Sequence, residues 1–326
     1  MKKYLEDLEK ELTKLKISSE DIKEIIADHM EMIEAAYEDG MDDDDLKSKF
    51  GEPDQVAKTL YRDEISQTNN NNSPLIEEGE LKGYSLFKAF PVALDLRKIN
   101  ISLVSEDFML FPYDGESIEV YIRKVYNQED YEVSYIDNVF TLKRNKSKSL
   151  RIFGNRKQSG KFGIRVPRNL LLEGLIVKVV SADGRIDNLN TNKMDLKTTS
   201  GDFEISNIVV EDHTLLTSVS GDFEISSLKS KELEISLVSG DVDMRDVHIK
   251  KDIDINSVSG DVEAKNVKAS HVSFRTVSGD FEGEETYIDS CEVKSVSGDF
   301  EINNRIHDQE IVVTHKKTLS GDVTIN

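Results

Sequence analysis

The sequence predicts an α+β multidomain chain. A small amino-terminal α-helical bundle (residues 1–66) is joined by a flexible linker (67–80) to a carboxy-terminal all-β parallel solenoid (81–326). The solenoid is β-helix-like, with about 19–20 residues per coil. Three observations carry this reading: apolar residues at helical spacing at the start, a polar Asn-rich stretch after them, and a short motif that recurs with a nearly constant period to the end.

In the first segment Leu5, Leu8, Leu12 and Leu15, then Ile22, Ile25, Ile26, Met30 and Ile33, recur every three or four residues, as on one face of a helix. Ser18 or Ser19 suits the cap of a second helix and Asp39-Gly40 its end. The acids Asp42 to Asp45 fit the positive end of a third, closing near Phe50-Gly51, and Pro53 opens a fourth with Val56, Leu60 and Tyr61 on its apolar side. The stretch Gln67-Thr68-Asn69-Asn70-Asn71-Asn72-Ser73-Pro74 has no periodicity and reads as the linker.

Between Tyr84 and Leu189 short alternating runs appear, among them Ile99, Ile101 and Leu103, and Ile118, Val120 and Ile122. Asp114-Gly115 and Asp183-Gly184 mark turns. From Lys143 to Arg168 there are ten Lys or Arg residues and no acid. This basic run reads as a strand-loop-strand with a solvated face, Ile152, Phe153 and Phe162 pointing inward. Docking onto the acidic helical segment or an anionic bilayer is the alternative.

The motif S-G-D-Φ, with Φ being Phe or Val, occurs seven times between 200 and 326. Its glycines are Gly201, Gly221, Gly240, Gly260, Gly279, Gly298 and Gly321, and its acids are Asp202, Asp222, Asp241, Asp261, Asp280, Asp299 and Asp322. Such a period marks an array in which each unit is one supersecondary turn. Apolar residues stand two before each glycine (Val219, Val238, Val258, Val277, Val296), two after, often four after (Ile205, Ile225, Met244, Ala264, Ile302), and near twelve and fourteen after, as in Leu233 and Ile235. Alternation at period two points these residues into a shared core, with parallel strands of neighbouring coils about 4.8 Å apart. Each motif glycine is expected to be a structural corner, with a positive φ that has no Cβ clash.

Stacking then places the seven motif aspartates in one outward column and Glu204, Glu224, Asp243, Glu263, Glu282 and Glu301 in a second. Like charges at such spacing repel by roughly 1 kcal/mol in water, so the columns need an explanation. Either each Asp accepts hydrogen bonds from backbone or the motif serine at its corner, or the columns form a surface for divalent cations or cationic peptides. No calcium-binding G-G-x-G-x-D nonapeptide is present.

Catalysis has little to rest on. The carboxylates are parts of a repeated turn. His29, His213, His248, His271, His307 and His315 fall at unrelated offsets and read as surface or edge residues, and Cys291 shares the offset of Leu233 and Val272, a core position. No cofactor is expected, and the single cysteine allows no internal disulfide. The net charge of −21 divides into −10 over 1–66, +3 over 67–199 and −14 over 200–326, which disfavours nucleic acid as a partner. The opening Met1-Lys2-Lys3-Tyr4 has the charge but not the apolar stretch of a signal peptide. The expected location is therefore cytoplasmic, peripheral at most to a membrane, with surface export left open.

Two resemblances add to this. Tyr4-Leu5-Glu6-Asp7-Leu8, the Ile22 to Glu38 helix ending in Asp39-Gly40, and Phe50-Gly51-Glu52-Pro53 resemble the HAAS signalling domain of bacteria over about 1–64. That resemblance implies a protein-interaction role and a PadR-type transcriptional regulator or an envelope component as partner. The repeats, with Ile99-Asn100-Ile101, Ile164-Arg165-Val166-Pro167 and Ser181-Ala182-Asp183-Gly184, resemble an adhesin-like β-strand repeat family of unassigned function over about 90–326. Together they imply a non-catalytic interaction or scaffold protein of cell-envelope stress signalling. The other reading is a surface adhesin or sensor of cationic peptides or divalent cations.

Overall fold

The structure, a computed structural model, describes residues 5, 10, 13, 14, 26, 81–92, 96–125, 127–145, 160–168, 170–304 and 311–326. Leu5, Lys10, Thr13, Lys14 and Ile26 have helical backbone. The remainder of the expected bundle, the linker and residues 146–159 of the basic run lie outside the described residues. No helix among the described residues is long and apolar enough to cross a membrane.

One compact unit comprises 86–149 and 157–326, and its described residues form a three-sided solenoid. On the first side Phe203–Ser218 begins against Phe223–Ser230, which pairs in parallel with Val242–Arg245, then Val262–Arg275, Phe281–Ser295, Phe300–Asn303 and Val323–Ile325 in turn. The later parts of the long strands build another side with Asn190–Lys197, Glu232–Leu237, Asp252–Asn256 and Val312–Thr318. A short third side lies between them, as in the registers Lys229 with His248 and Val267 with Thr286. Every coil repeats the same in-out choice, so Phe203, Phe223, Val242, Val262, Phe281 and Phe300 stack inside. Phe281 and Phe300 lie 4.6 Å apart between ring centroids.

The chain does not climb the stack in order. Lys98–Ser102 and Asp107–Tyr113 form an internal coil. Val139–Arg144 and Lys161–Pro167 then pair on one flank of that coil, and Gly174–Lys178 and Gly184–Asp187 on the other. The displaced coil is covered by antiparallel partners, Ser117–Arg123 against Lys161–Pro167 and Tyr131–Ile136 against Val139–Arg144. Such antiparallel covering leaves this end of the parallel stack no open edge formed by those two strands.

Two expectations are corrected. The motif glycines do not have positive φ. That conformation falls six residues later, at Asn207, Ser227, Asp246, Asn266 and Glu285, and at Asn188 in the coil before, where the first side bends into the third. Asn and Asp are the non-glycine residues that adopt it most readily, and Asn207 is held further by its bond to Asp187 of the coil before at 2.9 Å. The glycines are required for a different reason. A Cβ at Gly221, Gly240, Gly260, Gly279, Gly298 or Gly321 would lie 1.9–2.1 Å from the carbonyl oxygen of the motif glycine one coil before. At Gly201 the obstacle is the carbonyl of Ala182, 1.8 Å away.

The valines two before the glycine are the second correction. Val219, Val238, Val258, Val277 and Val296 are 46–48% exposed, not in the core. Period two stops at the turn: the buried residue there is the one three before the glycine, at five turns a Ser or Thr whose hydroxyl accepts the glycine N–H, and before Gly240 the apolar Leu237. These bonds measure 2.8 Å at Thr198, 2.7 Å at Ser218, 2.8 Å at Ser257 and Thr276, and 2.6 Å at Ser295. Thr276→Val keeps the shape but leaves the buried Gly279 N–H without its acceptor. A loss of about 1–3 kcal/mol in a urea melt is expected, and an unchanged midpoint would mean that water replaces the hydroxyl.

Candidate functional site

The feature repeated on every coil is the V-S-G-D turn, and its side chains form three outward columns along one edge of the solenoid. Its first step is the serine: Ser239 N donates to the Val219 carbonyl of the coil before at 2.9 Å, and Ser239 Oγ donates to the same oxygen at 3.2 Å. The same pair of bonds recurs from Ser181 on Val104 to Ser320 on Val296.

The aspartates make a second ladder. Asp222 N donates to Asp202 Oδ1 at 2.9 Å, Asp241 N to Asp222 at 2.8 Å, Asp261 N to Asp241 and Asp280 N to Asp261 at 2.9 Å, and Asp299 N to Asp280 and Asp322 N to Asp299 at 2.8 Å. The carboxylate column is thus tied to backbone N–H groups, each a charge-assisted bond that offsets repulsion between neighbours. Only one oxygen of each is used in this way. Among the described residues no group of three or more His, Cys, Asp or Glu is arranged to hold a metal ion.

The ladder extends beyond the recognised motif copies. Asp202 N bonds Asp183 Oδ1 at 3.1 Å and Asp183 N bonds Asp107 Oδ1 at 3.2 Å. Val180-Ser181-Ala182-Asp183 and Val104-Ser105-Glu106-Asp107-Phe108 are therefore two earlier copies of the turn. The second escaped sequence reasoning, although V-S-E-D-F differs from V-S-G-D-F only at the glycine. In that place the Glu106 side chain folds back to accept from Val104 N and Ser105 N, each at 3.2 Å, and from Tyr131 Oη at 3.0 Å.

The glutamates stack in register, Glu204 beside Glu224, Asp243, Glu263, Glu282 and Glu301 in succession. Arg185 lies 3.6 Å from Glu204, and Arg245 pairs with both Glu224 and Asp243. Glu263 and Glu282 have no ion-pair partner among the described residues.

The described basic-run residues are mostly bound to acids of 106–119 and do not form a free patch: Arg144 pairs with Glu106, Lys161 with Asp107 at 3.0 Å, Arg165 with Glu119, and Arg168 with Asp114 at 2.8 Å. Arg165, only 4% exposed, also donates to Tyr121 Oη at 2.6 Å and lies over the rings of Tyr113 and Tyr121. Burial, with Glu119 beside it, holds the Tyr121 phenol above its ordinary range. Phe162 is fully buried.

The remaining candidates are dispersed. His213 lies 4.0 Å from Glu232, and His271 Nδ1 is 2.8 Å from Ser290 Oγ. His29 and His307 lie outside the described residues. Cys291 is fully buried, which pushes its thiol up to about 11. A poorly ionised, inaccessible thiol is a core residue and not a nucleophile.

Asp261→Ala removes the acceptor of Asp280 N–H at an exposed site. The expected cost is about 1 kcal/mol in a chemical melt, with wild type gaining no more from calcium than from sodium at matched ionic strength. A calcium-specific rise in melting temperature that Asp261→Ala abolishes would instead give the column a role in holding cations.

A family model described as Toastrack DUF4097 matches this chain over residues 96–283 and 250–326, and the HAAS model matches residues 3–59. No curated protein matches. Among solved structures, a "putative lipid binding protein" of Parabacteroides distasonis superposes with a TM-score of 0.54 at 16% identity, over 73% of this chain and 96% of that one. A "putative adhesin" of Bacteroides fragilis gives a TM-score of 0.46 at 19% identity, over 74% and 97% of the two chains. At 16% identity the likeness to the first of these is one of fold.

Proposed function

Since the chain belongs to the Toastrack DUF4097 family and carries a HAAS segment ahead of the repeats, we propose that it is a non-catalytic interaction protein of cell-envelope stress signalling. In this reading the HAAS segment engages a signalling partner, by its resemblance a PadR-type regulator or an envelope component, and the solenoid serves as an extended binding or assembly surface. The observation that carries the reading is the uniformity of the turn. The same serine and aspartate, with valine before them at most turns, face solvent coil after coil and bond to backbone of the neighbouring coil, which suits a surface read along its length. Catalysis instead needs a singular constellation of groups at one place.

The acidic columns support a second reading, a surface adhesin or sensor of cationic ligands. Fractionation of cells with co-purification separates the two. A pool inside the cell that brings down a transcriptional regulator, and loses it when residues 3–59 are deleted, is expected. Recovery of the protein outside the membrane with no such partner would favour the second reading.

A further inference from the structure

An exposed apolar column runs the length of the repeat array at the V-S-G-D turn. Its members follow one another coil by coil, each carbonyl accepting the serine N–H of the next turn, from Val104 and Val180 to Val296 and Leu319, with Thr199 as the single polar member. Nine positions at about 4.8 Å span about 38 Å. Scattered exposed valines need no explanation, but the run from Val219 to Leu319, apolar at six successive turns, is a surface that a partner covers. Beside the row stands the aspartate column, each carboxylate up to Asp299 with one oxygen engaged by backbone, and beyond it the glutamate column, in which Glu263 and Glu282 are unpaired among the described residues.

We infer that this edge receives a basic amphipathic α-helix of a protein partner. The inference rests on the reading of the solenoid as a binding surface and assigns that surface a place and a partner chemistry. Charge selects the partner. Residues 1–66 carry −10 and residues 200–326 carry −14, so the chain's own helical segment or a second copy would bring like charge to an acidic flank. Spacing selects the conformation. A helix repeats its apolar stripe about every 5.4 Å, close to the coil spacing of about 4.8 Å, whereas same-face residues of an extended peptide recur about every 6.6 Å and lose register within two or three coils. The helix lays its apolar stripe on the valines, and its Lys and Arg reach the free carboxylate oxygens on one flank.

The test uses the full chain and synthetic helices of about 18 residues, which span about five coils. One peptide has a leucine stripe flanked by lysine, a second has the same stripe flanked by glutamate, and a third has the lysine peptide's composition scrambled. Val238, Val258, Val277 and Val296 are replaced together by Thr, the residue the chain itself carries at Thr199, so the variant keeps the β-branched shape of the turn. The lysine helix is expected to bind wild type, to bind the Val→Thr variant at least tenfold more weakly at equal melting temperature, and to weaken with added salt. Glu263→Gln with Glu282→Gln is expected to slow association. Equal binding by wild type and Val→Thr, or by the lysine and glutamate helices, overturns the assignment and leaves the broader binding-surface reading standing. No binding of the lysine helix to wild type also overturns it, while the co-purification experiment judges the broader reading separately.

Discussion

Gly260→Val is expected to unfold the central coils. A Cβ at residue 260 lies 1.9 Å from the Gly240 carbonyl oxygen and 2.9 Å from its carbon, and both belong to backbone held by the ladders on either side. Ordinary overpacking of a core costs about 1–3 kcal/mol because side chains can shift, but here the obstacle is a peptide group that cannot move without parting two coils. The loss is expected to exceed about 4 kcal/mol, with β-type circular dichroism falling at urea concentrations that leave wild type intact. Gly174→Ala is the control, because its nearest obstacle is the Lys193 carbonyl at 4.0 Å, and it is expected to melt with wild type. A Gly260→Val protein that melts like wild type would show that the stack parts freely at the glycine column.

Arg165→Ala is expected to release the displaced coil and its antiparallel cover. The guanidinium Nε donates to Glu119 Oε2 at 3.1 Å, and the group lies 4.4 Å from the Tyr113 ring centre and 4.9 Å from that of Tyr121. Arg165 is buried and Glu119 is partly exposed, so deleting the guanidinium leaves a partly solvated carboxylate without its donor, a loss of about 1–3 kcal/mol. Because each coil touches only its neighbours, the effect should appear as faster amide exchange over Ser117–Arg123 and Lys161–Pro167, with the coils from 240 onward protected as before. Replacing both partners, Arg165→Met with Glu119→Leu, is expected to recover most of the loss, since the pair itself adds little over a packed apolar contact. Uniform exchange in Arg165→Ala and wild type would mean that the cover does not depend on the pair.

Much of the solenoid was legible in its residues. The S-G-D period defines the coil, the apolar offsets after each glycine name core residues such as Phe223, Ile225 and Ile235, and the offset of Cys291 makes it internal. The two acidic columns follow from the same count. The valine before the turn was misread because alternation holds only within a strand. At most turns the buried slot goes to Ser or Thr, whose hydroxyl accepts the glycine N–H, and before Gly240 to Leu237, and the valine is left outside.

The repeated unit is written in the chain many times over, because parallel stacking imposes one local pattern on every coil. Whatever occurs once, or depends on two distant segments, follows from how the coils pack. The positive φ moved from the glycines to residues such as Asn207 and Asn266, since the glycines answer to the carbonyl of another coil. The coil of Val139–Arg144 and Lys161–Pro167 took a place out of chain order, and the bases Arg144, Lys161 and Arg165 found acids 38 to 54 residues away in sequence, as did Arg168. Such pairings are set by which surfaces meet when the coils stack, and no periodicity within one coil records them.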